Sequence, residues 1–129
     1  MLRYLLGVFV LLHGWVHVWY IVLARRWVEY RPEMGWDGQS WLLSGALGDA
    51  ALRGLATVVY ALSAVAFTVA AIGVFTAAGW WRTLVLTAAA ISTLAILVFW
   101  DGGSSSIVQK GLVGLVVNVV LIVGVLLSW

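Results

Sequence analysis

A chain of 129 residues makes one domain, and 64% of this one is apolar while only 9% is charged. Soluble domains run at about 45–50% apolar and about 25% charged, so a water-soluble fold of this size cannot hide the apolar surface, whereas a bilayer solvates it. The lack of cysteine excludes disulfides, Cys-ligated zinc, iron–sulfur clusters and thiol catalysis, and a net charge of +2 is too small to argue for nucleic acid.

The first apolar segment is Leu2–Ala24. It follows Arg3 as a signal peptide would, but the run Tyr4–Ala24 is longer than a signal core and no A-x-A-like cleavage site follows it. It therefore reads as a membrane helix. The linker Arg25–Asp49 carries Arg25, Arg26, Glu29, Arg31, Glu33, Asp37 and Asp49, with Pro32, Trp27, Trp36 and Trp41. Within it Asp37–Leu47 predicts a short amphipathic helix at the interface, capped by Asp37 or Ser40. Three further apolar segments follow at 50–76, 80–100 and 107–128. Each is about 20 residues or more, enough to cross a hydrocarbon core of about 30 Å, and backbone groups cannot stay unpaired in lipid, so all four must be helices. The connections at Ala77–Gly79 and Asp101–Ser106 are short and force antiparallel neighbours, with Ser104–Ser106 available to cap the last helix. The fold class is all-α: an integral membrane four-helix transmembrane bundle, residues 1–129 as one domain, with a structured loop at 25–49.

Four spans place both termini on one side, here side A, with Arg3 and Arg82. Side B holds Arg25, Arg26, Arg31, Arg53, Lys110 and all five acids. Counting Lys and Arg alone puts side B in the cytoplasm. Its balanced charge and Trp-rich linker suit an outward-facing cap, and the reading taken is cytoplasmic termini. Tyr4, Trp80, Trp81 and Trp129 would form the side A aromatic belt, and Trp19, Tyr20, Trp27, Trp36, Trp41 and Trp100 the side B belt. The single lysine amid abundant Ala, Val, Gly, Arg and Trp suits a GC-rich prokaryotic genome.

Helix 1 contains His13-Gly14-Trp15-Val16-His17. His13 lies about 14 Å past Tyr4 at helical rise, near the midplane, and His17 is one turn towards side B on the same face. Ionisable groups at that depth face the bundle interior, and Gly14 lets a neighbour approach. Tyr60, Ser63, Ser92, Thr93 and Asn118 fall at similar depth on the other helices. Gly111, Gly114 and Asn118 share a face on helix 4, a small-residue stripe suited to close packing. The candidate ligand-binding residues are His13, His17, Tyr60, Ser63, Ser92 and Asn118. They form either a purely structural polar belt that locks helix register or a site for a lipophilic ligand, with proton transfer and protein contact as further options. HxxxH spacing admits a metal on His13 and His17, but no Cys, Asp or Glu sits at matching depth to complete a set. Two His one turn apart cannot be opposite axial ligands of one haem, although each can supply one. A quinone needs one donor, such as His17 or Tyr60, and an aromatic slot from Trp15, Trp19 and Phe99.

The segment Arg3-Tyr4-Leu5-Leu6-Gly7-Val8-Phe9-Val10-Leu11-Leu12-His13-Gly14 resembles the start of DoxX-type proteins, small four-helix membrane proteins. The chain is also similar to four-span prokaryotic proteins with an H-G-x-x-H first helix, a W-W pair opening helix 3 (Trp80-Trp81) and an Asn in helix 4 (Asn118). DoxX members often carry Lys where this chain has His17. The resemblance implies cytoplasmic termini and a role as a membrane subunit in quinone-linked oxidoreductase chemistry. The leading reading is a small protein of the prokaryotic cell membrane, a membrane subunit or lipophilic-ligand-binding module of unspecified activity, working alone, with other subunits or as a homo-oligomer; the alternatives are the quinone-linked oxidoreductase subunit and an oligomeric transporter or channel.

Overall fold

The computed structural model describes residues 1–128, so Trp129 of the expected side A belt lies outside them. Four helices are long and apolar enough to cross a membrane: α1 (Leu2–Ala24), α2 (Asp49–Thr76), α3 (Trp81–Val98) and a fourth span, Val108–Leu127. The chain thus has the build of a small integral membrane protein. The fourth span begins with a wide turn at Val108–Leu112, where Leu112 N–H reaches back to Ile107 O, and continues as α4 (Val113–Leu127). Gly111 takes φ +119° in this turn, outside helical geometry, and a Cβ there would lie 2.6 Å from an Ile96 methyl. Glycine at Gly111 and Gly114 lets Ile96 of α3 press against the backbone of the fourth span, so the expected small-residue stripe is a helix–helix contact.

Along the membrane normal the core has three layers. Val10, Phe67, Ala70, Ala71, Val74, Val85, Leu121 and Val125 fill the side A half. Tyr20, Leu23, Leu52, Ala56, Tyr60, Phe99 and Trp36 fill the side B half. Between them lie the buried polar groups His13, His17, Ser63, Ser92 and Asn118. Gly14 lets α2 close on α1 there, since a Cβ would meet Phe67 Cβ at 2.5 Å. Extended packing joins α1 to α2, α2 to α3 and α3 to α4, while the seam between α1 and α4 stays largely open.

The linker forms a cap on side B. A single 3-10 turn spans Pro32–Met34, and residues 41–46 coil through consecutive turns, so the regular helix expected over Asp37–Leu47 is replaced by an irregular fold. Ser40 still caps those turns: its Oγ accepts from Leu42 and Leu43 N–H, while Asp37 Oδ1 serves only Gln39 N–H. The reason lies beyond the linker. Helix 3 stops at Val98, short of Trp100, and the cap takes over its terminal carbonyls: Ser40 Oγ donates to Val98 O, Trp41 Nε1 to Leu97 O (2.7 Å) and Trp41 N–H to Trp100 O (2.7 Å). These are the carbonyls that a helix end leaves without partners. Trp36, expected in the aromatic belt, is instead 3% exposed and plugs the bundle against Tyr60 and Phe99. Tyr20 also leaves the belt for the core, stacking on Tyr60 at 4.9 Å. Trp27, Trp41 and Trp80 remain exposed as belt residues.

Arg53 ties the cap to two helices. It donates to Asp49 Oδ1 (2.9 Å), to Leu23 O at the end of α1 (3.1 Å) and to Asp37 O (2.7 Å), with its guanidinium over the Trp36 ring. A planar fork with several fixed donors suits three such acceptors where an ammonium would not. Gly38, at φ +93°, leaves the space that the guanidinium fills.

Candidate functional site

The polar layer is a hydrogen-bonded ring across three helices. His13 Nε2 lies 2.8 Å from Asn118 Oδ1, Asn118 Nδ2 donates to Ser92 Oγ at 2.9 Å, and Ser92 Oγ lies 2.7 Å from His17 Nε2. His17 Nδ1 returns to α1, 3.2 Å from both His13 O and Gly14 O. Those two carbonyls fix the direction of the ring. Carbonyl oxygens only accept, so His17 Nδ1 carries the hydrogen and Nε2 offers a lone pair. Ser92 therefore donates to His17 and accepts from Asn118, and Asn118 accepts from His13 Nε2–H. Every link has one donor and one acceptor without a charge on either imidazole.

Four of the six candidate residues meet in this ring: His13, His17, Ser92 and Asn118. Ser63 and Tyr60 share the depth but not the bonds. Ser63 Oγ donates to Val59 O on its own helix. Tyr60 touches His17 through its ring, 6.2 Å between centroids, and belongs to the aromatic cluster below. Phe67 was not singled out from the sequence, yet its ring lies edge-on to His13 at 4.9 Å and walls off the layer. A phenylalanine in an apolar helix carries no mark that separates this role from ordinary core packing. The hydroxyl of Thr93 is buried without a partner.

On the open α1–α4 seam, a crevice of about 400 Å³ runs from the polar layer to side B. Val16, Trp19 and Tyr20 of α1, Ile96 of α3 and Val108, Gly111, Val113 and Gly114 of the fourth span form its walls, and His13 and His17 close its inner end. Glu33, Met34 and Gln109 stand at its outer end. The volume falls within the usual range for small-molecule pockets, and a mostly apolar lining with a few convergent polar groups is their usual chemistry. The wide turn at Gly111 belongs to this wall; non-helical backbone at membrane depth is tolerated where it lines a cavity or is covered by protein. Tyr20 helps to cover it, donating to Gln109 O at 2.9 Å. Of the aromatic slot expected from Trp15, Trp19 and Phe99, only Trp19 lines the crevice: Trp15 is 62% exposed on the outer face and Phe99 packs under the cap.

At the side B rim, Lys110 pairs with Asp101. Partial burial pushes the Asp101 carboxyl up, but the Lys110 ammonium bonded to it, together with Gly103 N–H, outweighs burial and holds it below the usual carboxylate range. Tyr30, in the cap, is shifted up by burial and then by the Asp37 carboxylate. No serine side chain caps the fourth span: Ser106 takes φ +53° and supplies only its carbonyl, to Lys110 N–H.

The ring bears on the cofactor options. A metal held by both imidazoles needs their lone pairs to converge, but the rings are nearly perpendicular, at 86°, and the two Nε2 atoms serve different helices. No cluster of three or more His, Cys, Asp or Glu able to hold a metal occurs among the described residues. An axial bond to haem from either Nε2 has to break the ring. The chain matches no protein-family model, no curated protein and no solved structure.

Proposed function

We propose that the chain is a membrane-embedded binding module for a lipophilic molecule carrying one polar group, working alone or as a subunit of a larger prokaryotic membrane assembly. One observation carries this reading: the seam between α1 and α4 opens into a crevice whose inner end is formed by His13 and His17. A polar belt that served only to lock helices has no need of a crevice leading to it. In a bilayer the flanks of this seam meet acyl chains, so a lipophilic molecule can enter sideways and place its polar group at the ring. The DoxX-like first helix, Arg3 to Gly14, supports the same reading as a subunit.

Native mass spectrometry of protein released from mild detergent tests it. A bound non-detergent molecule is expected on the wild type. It should be lost from His13→Ala/His17→Ala and from Val113→Trp, which fills the crevice without touching the ring. A bare wild-type chain, or an adduct that survives both variants, would defeat the proposal. The same spectrum reads the number of copies in the working unit.

A further inference from the structure

The direction of the ring decides what kind of polar group the crevice accepts, and this step rests on the binding reading above. Each donor hydrogen that the ring uses is committed inside it. His13 Nε2–H goes to Asn118, Asn118 Nδ2–H to Ser92, Ser92 O–H to His17 Nε2, and His17 Nδ1–H to two backbone carbonyls. With its hydrogen on Nε2, His13 keeps a lone pair on Nδ1, and a neutral imidazole with one N–H makes that second nitrogen an acceptor. Among the described residues, no group donates to His13 Nδ1. Nor is that atom sealed, because Thr93 Oγ1 is the single buried side-chain polar atom without a partner among the described residues. His13 is also the most exposed member of the ring, at 8%, and lines the crevice.

We infer that the crevice selects a hydrogen-bond donor: an apolar molecule with a free hydroxyl, such as an alkyl phenol or a long-chain alcohol, whose O–H donates to His13 Nδ1. A carbonyl-only headgroup such as a quinone brings acceptors to an acceptor. At His13 it finds a donor only if the ring is reversed, and two backbone carbonyls hold the ring in one direction. The alkyl part lies along Val16, Ile96 and Val113, and an aromatic headgroup finds Trp19 and Tyr20 beside it.

The test offers the protein, in lipid nanodiscs, an equimolar mixture of para-nonylphenol and its O-methyl ether. The pair differs chiefly in the donor hydrogen. Native mass spectrometry should show the phenol bound in preference by about five- to tenfold, the discrimination expected for one net hydrogen bond. His13→Gln places an amide nitrogen where Nε2 stands, keeps a partner for Asn118 and exchanges the Nδ1 lone pair for an amide oxygen held in a different place. In that variant the preference should shrink. Equal binding of the two compounds to the wild type overturns the acceptor assignment and leaves lipophile binding standing. A preference undiminished in His13→Gln overturns the assignment in the same way. Binding of neither compound removes the crevice reading together with this inference. If His13→Gln does not fold, the wild-type ratio alone decides.

Discussion

Asn118 is the side chain through which α4 joins the ring, and it makes both of that helix's polar contacts there. Replacing it by Leu strands His13 Nε2–H in the core and removes a donor from Ser92. A buried polar group left unpaired costs about 1–3 kcal/mol. Single interhelical hydrogen bonds in membranes average only about 0.6 kcal/mol and reach about 1.7. With two such bonds lost, Asn118→Leu should cost about 1–2 kcal/mol in detergent unfolding. Ser63→Ala should be close to neutral, because its hydroxyl bonds only to Val59 O one turn back. Equal losses at both positions would mean that buried polarity in general, rather than the closed ring, holds the bundle. The two residues looked alike in the sequence for a plain reason. Counting residues from a helix end gives depth, and depth placed His13, Ser63, Ser92 and Asn118 in one layer. The rotation of each helix, which turned Ser92 inward to His17 and left Ser63 on its own backbone, is set by packing such as Gly14 against Phe67. No count along one chain supplies that.

The fourth span depends on how its irregular start is held. Val108–Leu112 lacks a regular helical ladder around Gly111, and the Lys110–Asp101 ion pair pins it to the turn after α3. Folding lowers the Asp101 pKa, so the pair contributes fully above the unfolded carboxyl value of about 3.9 and is lost as pH falls through the lower folded value. Asp101→Asn should therefore destabilise the protein at pH 7, leaving the Lys110 charge without its partner. Its deficit against the wild type should shrink as the pH drops below about 4. Thermal unfolding of both proteins from pH 7 to pH 3 checks this, and a deficit that stays constant over the range would show that charge is not what the carboxylate supplies. Both residues were legible as side B charges, but their pairing was not, because it depends on the bend at Gly111. The helices themselves were legible because lipid allows an apolar run of this length few other structures. The cap was not, since its turns answer to the end of α3 rather than to any pattern within residues 25–48.

For the whole molecule, four crossings would leave the two ends of the chain in one compartment. Side B sums to zero charge, with five basic and five acidic residues, whereas the charged side chains of side A are Arg3 and Arg82, both basic. With the termini read as cytoplasmic, a reporter active only in the cytoplasm should work when fused to either end. It should fail when inserted after Gly45, an exposed cap position with open space around it. Activity at Gly45 alone would reverse the orientation, and activity at all three positions would mean that the cap and the termini do not lie on opposite sides. The cap also has a consequence for how the protein is made. Its residues Ser40 and Trp41 bond to carbonyls at Leu97, Val98 and Trp100, which leave the ribosome more than fifty residues later. During synthesis the first hairpin therefore waits with its loop unfinished, its donors facing interfacial water. The arrival of helix 3 finishes that loop, so the order in which the chain is written is not the order in which the molecule closes.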